Sequence, residues 1–146
     1  MFRQRNFFSG DQARSIESAI RKAELHTSGE IRVHVENNCR GNVMDCAANV
    51  FARLKMHKTK LRNGVLIYLA VKDKTFAIIG DQGINKVVPA NFWEETKNKM
   101  EAHFREGKFT EGLCEGVGSA GDQLKKYFPR NGQDKNELPD KISLGK

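Results

Sequence analysis

Apolar residues recur at steps of three and four through Ala13, Ile16, Ile20 and Ala23, the spacing of one buried helix face. Ser9-Gly-Asp-Gln12 just before them has the Ser-x-x-Gln spacing of a reciprocal helix cap. Thr27-Ser28-Gly29 stops this helix. From Glu30 to Glu36 polar and apolar residues then alternate, with Ile31, Val33 and Val35 on one side, which predicts a half-buried strand. Asn42 and Asp45 can cap a second helix whose stripe is Met44, Ala47, Ala48, Phe51 and Leu54. After the turn signal Asn63-Gly64, the unbroken apolar run to Val71 predicts a central strand. Lys72-Asp73-Lys74 is short enough for a hairpin loop, and Thr75 to Ile79 returns as its partner. Pro89 marks the start of a third helix that turns Phe92, Trp93, Thr96, Met100 and Phe104 inward. Gly107 ends it, and Leu113, Val117, Ala120, Leu124 and Tyr127 define a fourth, closed by Pro129.

The order helix, strand, helix, strand, strand, helix, helix predicts the α/β class. A strand, a helix and a strand in series form a parallel pair with a right-handed crossover, and the hairpin adds an antiparallel strand. The expected architecture is a three-layer α/β/α sandwich around this small mixed sheet, occupying residues 1–128. Residues 129–146 are mostly polar, with Leu138, Ile142 and Leu144 as the sizeable apolar exceptions, and are expected to be a disordered tail.

Composition adds exclusions. The 146 residues contain 38% hydrophobic and 29% charged residues, enough apolar side chains for one core without staples. The longest apolar run, Gly64 to Val71, falls far short of the roughly 18 residues that span a bilayer. The first ten residues lack the apolar stretch of a secretory leader, so a cytoplasmic location is expected. Cys39, Cys46 and Cys114 have no Cys-x-x-Cys spacing and read as reduced thiols. Lys and Arg exceed Asp and Glu by 25 to 18, but the basic residues are scattered, without the runs or interleaved aromatic residues of a nucleic-acid surface. Nucleic acid is not an expected partner.

Topology suggests where chemistry collects. If the first two strands are parallel, Glu30, Asn63 and the Gly80-Asp81-Gln82-Gly83 turn meet at one edge of the sheet. Their oxygen donors suit a hard divalent cation such as Ca²⁺ or Mg²⁺, with Asp81 as anchor and Glu30, Asn63 and Gln82 completing the set. The same Gly-Asp-x-Gly spacing also describes an ordinary turn, and no EF-hand pattern is present. At the opposite edge Glu36, Asn38 and Asp45 form an alternative cluster, in the position where open α/β sheets bind ligands. Helix capping accounts for part of it. Cys39 lacks the arginine six residues on that a phosphate-cradling loop needs, because position 45 is Asp. His26, His34, His57 and His103 have no partner at metal spacing and are expected at the surface or at caps.

Four segments in series, Thr27 to Val33, Arg62 to Tyr68, Gly80 to Ile84 and Phe104 to Leu113, resemble the TPM domain, a family that includes a thylakoid lumen protein, a photosystem II repair protein and a nematode receptor modulator. The resemblance spans roughly residues 5–128 and implies the same α/β/α sandwich. It also implies binding of divalent cations or a weak acid phosphatase activity, with the family's loops falling on Glu30, Asn63 and Asp81. On this basis the expected function is a metal-responsive module with Ca²⁺ or Mg²⁺ as cofactor. Its partners would be the cations and an unidentified protein, and the alternative is metal-assisted phosphatase chemistry. Many members carry a leader and a membrane anchor; neither is recognisable in these residues, so a stand-alone domain is expected.

Overall fold

The computed structural model describes residues 7–130 and 136–145. The first helix, α1 (Gly10–Glu24), begins at the predicted cap. The Ser9 side chain accepts the Gln12 N–H at 3.1 Å, and the Gln12 side chain accepts the Ser9 N–H at 2.9 Å. Two otherwise orphaned donors are thereby satisfied at once. Strand β1 (Glu30–Glu36) leads to α2 (Val43–Arg53), whose N-terminal N–H groups are capped by Asn42. Strand β2 (Gly64–Ala70) then pairs with β1 in parallel over its whole length, from Glu30 opposite Gly64 to Glu36 opposite Ala70. Strand β3 (Thr75–Gly80) returns antiparallel to β2.

All seven residues of β2 are buried, because helices cover both faces of the sheet at its centre. Val65, Ile67 and Leu69 join Ile31, Val33 and Val35 in the larger core beneath α1 and a long helix, α5 (Phe109–Lys125). Leu66, Tyr68 and Ala70 join Ala47 and Val50 of α2 in a smaller core on the opposite face. The predicted three-layer arrangement and mixed sheet are what the structure shows.

Two elements depart from the expected order. A short helix, α3 (Gln82–Asn85), follows β3 directly, and the helix expected at Pro89 starts later, as α4 (Glu94–Arg105). Between them Phe92 packs edge-on against Trp93 and Tyr127, with ring centroids 4.6 and 5.4 Å apart. The aromatic contacts hold this segment as turns rather than as a first helical turn.

The second departure is the tail. Residues 136–145 are packed against the sheet and end in a fourth strand, β4 (Ser143–Leu144), parallel to β1. The sheet order is therefore β3-β2-β1-β4. Leu138 is buried in the smaller core. The start of the return is pinned too: Ser28 N–H and Thr27 Oγ1 both donate to the Phe128 carbonyl, at 2.8 and 2.6 Å. What the polar composition concealed is that buried carboxylates of the domain, not apolar pockets alone, hold this segment.

Gly83 illustrates how closely the loops are set. Its N–H donates to the Arg62 carbonyl at 2.9 Å, and a Cβ at this position would overlap the carbonyl oxygens of Leu61 and Arg62. Gly83→Ala is expected to destabilise the fold by about 1–3 kcal/mol through overpacking against backbone. A urea titration checks this; an unchanged midpoint would show that the 61–62 loop yields without cost.

Candidate functional site

The parallel register brings Glu30, Asn63, Asp81 and Gln82 to one edge of the sheet, as the topology required. The Asn63 carbonyl accepts the Glu30 N–H at 3.2 Å, and the Gly64 carbonyl accepts the Asp81 N–H at 2.9 Å. Their side chains nevertheless serve different partners. Arg62 clasps Asp81 in a two-point ion pair, with Nε 2.8 Å from one carboxylate oxygen and a terminal nitrogen 2.9 Å from the other. Asp81 also accepts the Gln82 N–H at 2.7 Å and so caps α3. Arg62 has a positive φ of 51°, a conformation uncommon outside glycine that this bidentate pairing and the Gly83 contact hold in place. Glu30 turns the other way. Its Oε1 accepts the N–H groups of Glu137, at 2.7 Å, and of Leu138. The Asn63 amide donates to Ser28 Oγ at 3.3 Å, and Gln82 is exposed. Among the described residues no three His, Cys, Asp or Glu side chains group so as to hold a metal ion.

At the opposite edge the alternative candidates also separate. Glu36 is half-buried against His34 and Tyr68, with His34 Nε2 2.9 Å from Oε1 and the Tyr68 hydroxyl donating to Oε2. His34 itself is buried, not at the surface as its strand position suggested, because the C-terminal segment covers that face. Asp45 is exposed in the first turn of α2. Asn38 instead meets a residue that sequence reasoning had treated as a hairpin spacer, Asp73. The Asn38 amide donates to Asp73 Oδ1 at 3.0 Å and the Cys39 N–H donates to Oδ2 at 2.6 Å. These donors hold the Asp73 carboxyl below the usual carboxylate range, the Cys39 N–H most of all. Asn37, Asn38, Cys39, Arg40 and Asp73 line a cleft of about 580 Å³. The bonds Val71 N–H to Glu36 O, 2.9 Å, and Lys72 N–H to Asn37 O, 2.8 Å, carry the parallel pairing past the strand ends and bring the two loops together.

The cleft corrects the reading of the cysteines. Cys39 and Cys46 form a disulfide, with Cα atoms 6.1 Å apart, while Cys114 is a free thiol. The spacing of seven residues carries no signal in extended chain. It becomes a bridging distance only because Gly41, at a φ of 93°, folds the loop back onto the first turn of α2.

The buried carboxyls at the other edge have their own electrostatics. Desolvation pushes Glu24 up to about 9, helped by a hydrogen bond with Asp140 and opposed by the Ile31 N–H that Glu24 accepts at 2.9 Å. Burial likewise pushes Glu30 up to about 7 against the two N–H donors of the tail. Glu30 Oε2 is buried without a hydrogen-bond partner among the described residues.

A layered α/β/α domain with a mixed sheet and an open polar cleft across its carboxyl-end loops is the class that fold and site define. The family model for the TPM domain matches residues 1–123, and the chain belongs to that family. Among solved structures it is similar to the BA42 protein of the psychrophilic bacterium Bizionia argentinensis, solved by NMR, with 50% sequence identity and a TM-score of 0.92 over 99% of this chain and 100% of that one. The N-terminal domain of a P. gingivalis protein shares the fold at 20% identity and a TM-score of 0.69, covering 84% of this chain and 80% of that one. The N-terminal domain of cg2496 from Corynebacterium glutamicum does so at 13% identity and 0.65, covering 81% and 74%. No curated protein matches significantly. No helix among the described residues is long and apolar enough to cross a membrane.

The raised carboxyls make a prediction about pH. Between the ordinary value of 4.5 and the folded values of about 7 and 9, the folded chain holds protons that the unfolded chain has released. Stability is then present in full below pH 4.5 and falls as pH rises through 7 for Glu30 and 9 for Glu24. Glu24→Gln, which keeps an acceptor for Ile31 N–H, is expected to flatten the decline between pH 7 and 9 and to leave about half of the decline below pH 7, where Glu30 also contributes. Denaturant titrations at pH 5.5, 7 and 8.5 check this; an unaltered slope above pH 7 would contradict it.

Proposed function

We propose that the chain is a divalent-cation-responsive module whose ion sits in the carboxyl-edge cleft, not in the glycine-flanked turn. The observation that carries this reading is the division of the two aspartates. Asp81 is buried in a bidentate pair with Arg62, so a cation there would have to displace a guanidinium. Asp73 is exposed, ionised well below neutrality, and tied to the facing loop by two N–H donors. A carboxylate offers about four lone-pair directions, so two donors leave room for a cation.

The donor chemistry of the cleft suits a hard ion: one carboxylate with the amide and carbonyl oxygens of Asn37 and Asn38 nearby. A single carboxylate and a largely hydrated ion place the affinity in the weak class, with a dissociation constant on the order of 10⁻⁴–10⁻³ M. Binding there would stiffen the Asn37–Asn42 loop against the β2–β3 turn. The Cys39–Cys46 disulfide anchors the same loop to α2, which limits its freedom before the ion arrives. Disulfides of this sort persist where thiols are oxidised, which favours an oxidising compartment over the cytoplasmic location expected earlier.

Arg40 supports a second reading, weak phosphatase activity, because a guanidinium on the wall of the same cleft suits a phosphate group. A bound cation would supply polarisation of a phosphoryl oxygen. Arg40 would orient the anion, and Asp73 is the one carboxylate lining the cleft that could receive a proton.

Isothermal titration with CaCl₂ separates the two edges. Asp73→Asn is expected to weaken binding at least tenfold. Asp81→Asn is expected to lower the melting temperature, by unpairing Arg62 and uncapping α3, while leaving affinity within twofold. A larger affinity loss in the Asp81 variant would return the ion to the glycine turn.

A further inference from the structure

Four polar side chains, Glu30, Arg32, His34 and Glu36, follow one another along the face of β1 turned toward the layer of α2. α2 itself packs on β2 and β3, so the C-terminal segment covers β1 there. In the β1–β4 register Ser143 stands opposite His34. Its Oγ lies 2.8 Å from His34 Nδ1, and His34 Nε2 lies 2.9 Å from Glu36 Oε1. A carboxylate can only accept, so Nε2 carries the ring proton and Nδ1 turns its lone pair to the Ser143 hydroxyl. This is the proton arrangement of a serine with its base and orienting carboxylate, with the two ring nitrogens exchanged relative to the familiar triad.

The imidazole is restrained from several sides. Tyr68 stacks on it, with ring centroids 5.8 Å apart and planes 13° from parallel, and also donates to Glu36. The backbone of Gly145 lies directly on the His34–Glu36 pair: a Cβ there would overlap Glu36 Oε1 and come within 2.9 Å of His34 Nε2. Water and any larger side chain are thus kept from the orienting hydrogen bond, while Ser143 is only partly buried. Burial, opposed by the Glu36 hydrogen bond, holds His34 below its ordinary value, so it stays neutral and able to take a proton. Arg32, two positions back on the same face, has a buried Nε with no hydrogen-bond partner among the described residues, and Arg53 is close enough for its charge to act on His34. The Arg32 guanidinium also donates to the Lys141 carbonyl at 3.4 Å, two positions before Ser143, and so favours negative charge beside it.

We propose that Ser143 is a nucleophile toward small carboxylic esters bearing a negative charge, with His34 as its general base and Glu36 as a positioning residue. The Ser143 Oγ–carbonyl carbon bond forms as the hydroxyl proton passes to His34 Nδ1, and negative charge develops on the carbonyl oxygen on the side of the Arg32 guanidinium. Collapse breaks the bond to the leaving alkoxide, which takes the proton from Nδ1. Water then attacks the acyl-serine with His34 again as base, releasing the carboxylic acid and restoring the hydroxyl.

The test uses the full chain and two probes, a fluorophosphonate and mono-(4-nitrophenyl) succinate. Peptide mapping after fluorophosphonate treatment is expected to place the label on Ser143. The succinate ester is expected to give a burst of nitrophenolate that Ser143→Ala abolishes and His34→Asn slows about 100-fold or more. Glu36→Gln should retain the label while shifting the pH profile of the burst, a change that a merely structural role would not produce. The site of label in the unaltered chain decides first, because a buried variant can lose its fold. No label on the folded chain, a label on another residue, or a His34 variant that folds and reacts at the original rate would each overturn the proposal.

Discussion

The parallel pairing of β1 with β2, unbroken from Glu30 opposite Gly64 to Glu36 opposite Ala70, is the constraint from which the rest of the domain follows. Parallel strands need a crossover, and α2 supplies it. Because the strands start level, the entries to both and the end of β3 share one edge, and the loops after β1 and β2 share the other. The pairing buries β2 on both faces but leaves β1 with helices against its apolar side alone. Its second side, from Glu30 to Glu36, is polar and is finished by residues 136–145.

That completion exchanges one risk for another. An uncovered β1 would present unpaired backbone groups along an open sheet edge. Glu24 bonds the Ile31 N–H, and Gly145 N–H bonds the Val35 carbonyl at 2.8 Å, so the edge is closed by a side chain at one end and by the tail at the other. The closure takes Glu24 and Glu30 out of water, and desolvation raises both against the N–H donors they accept. Edge protection and sensitivity to alkaline pH therefore have the same origin.

What the sequence disclosed follows from what is local. The Ser9 cap, the alternation in β1 and the apolar run of β2 are set by neighbours three or four residues away or by burial, and all were legible. The convergence of Glu30, Asn63 and Asp81 was legible too, since it follows from strand direction. The destination of each carboxylate was not. Asp81 turns to Arg62 because of a positive φ in a basic loop, Glu30 turns to a segment more than a hundred residues later, and Asp73 meets Asn38 and Cys39 only once two loops adjoin. The Cys39–Cys46 bridge and the burial of His34 were hidden for the same reason. Both depend on chain reversals or distant coverage that periodicity does not encode.

The proposed cation site depends on which sheet edge remains open once the ion pair of Arg62 and Asp81 has closed the other. The most direct measurement is a two-dimensional amide NMR titration of the uniformly labelled chain with CaCl₂. The account requires the largest shifts in the loop from Asn37 to Asn42 and in Lys72 to Lys74, with the amides of Arg62, Asn63 and Gly80 to Ile84 little moved. Shifts concentrated in the Gly80 to Ile84 turn, or no saturable shifts at millimolar CaCl₂, would contradict it.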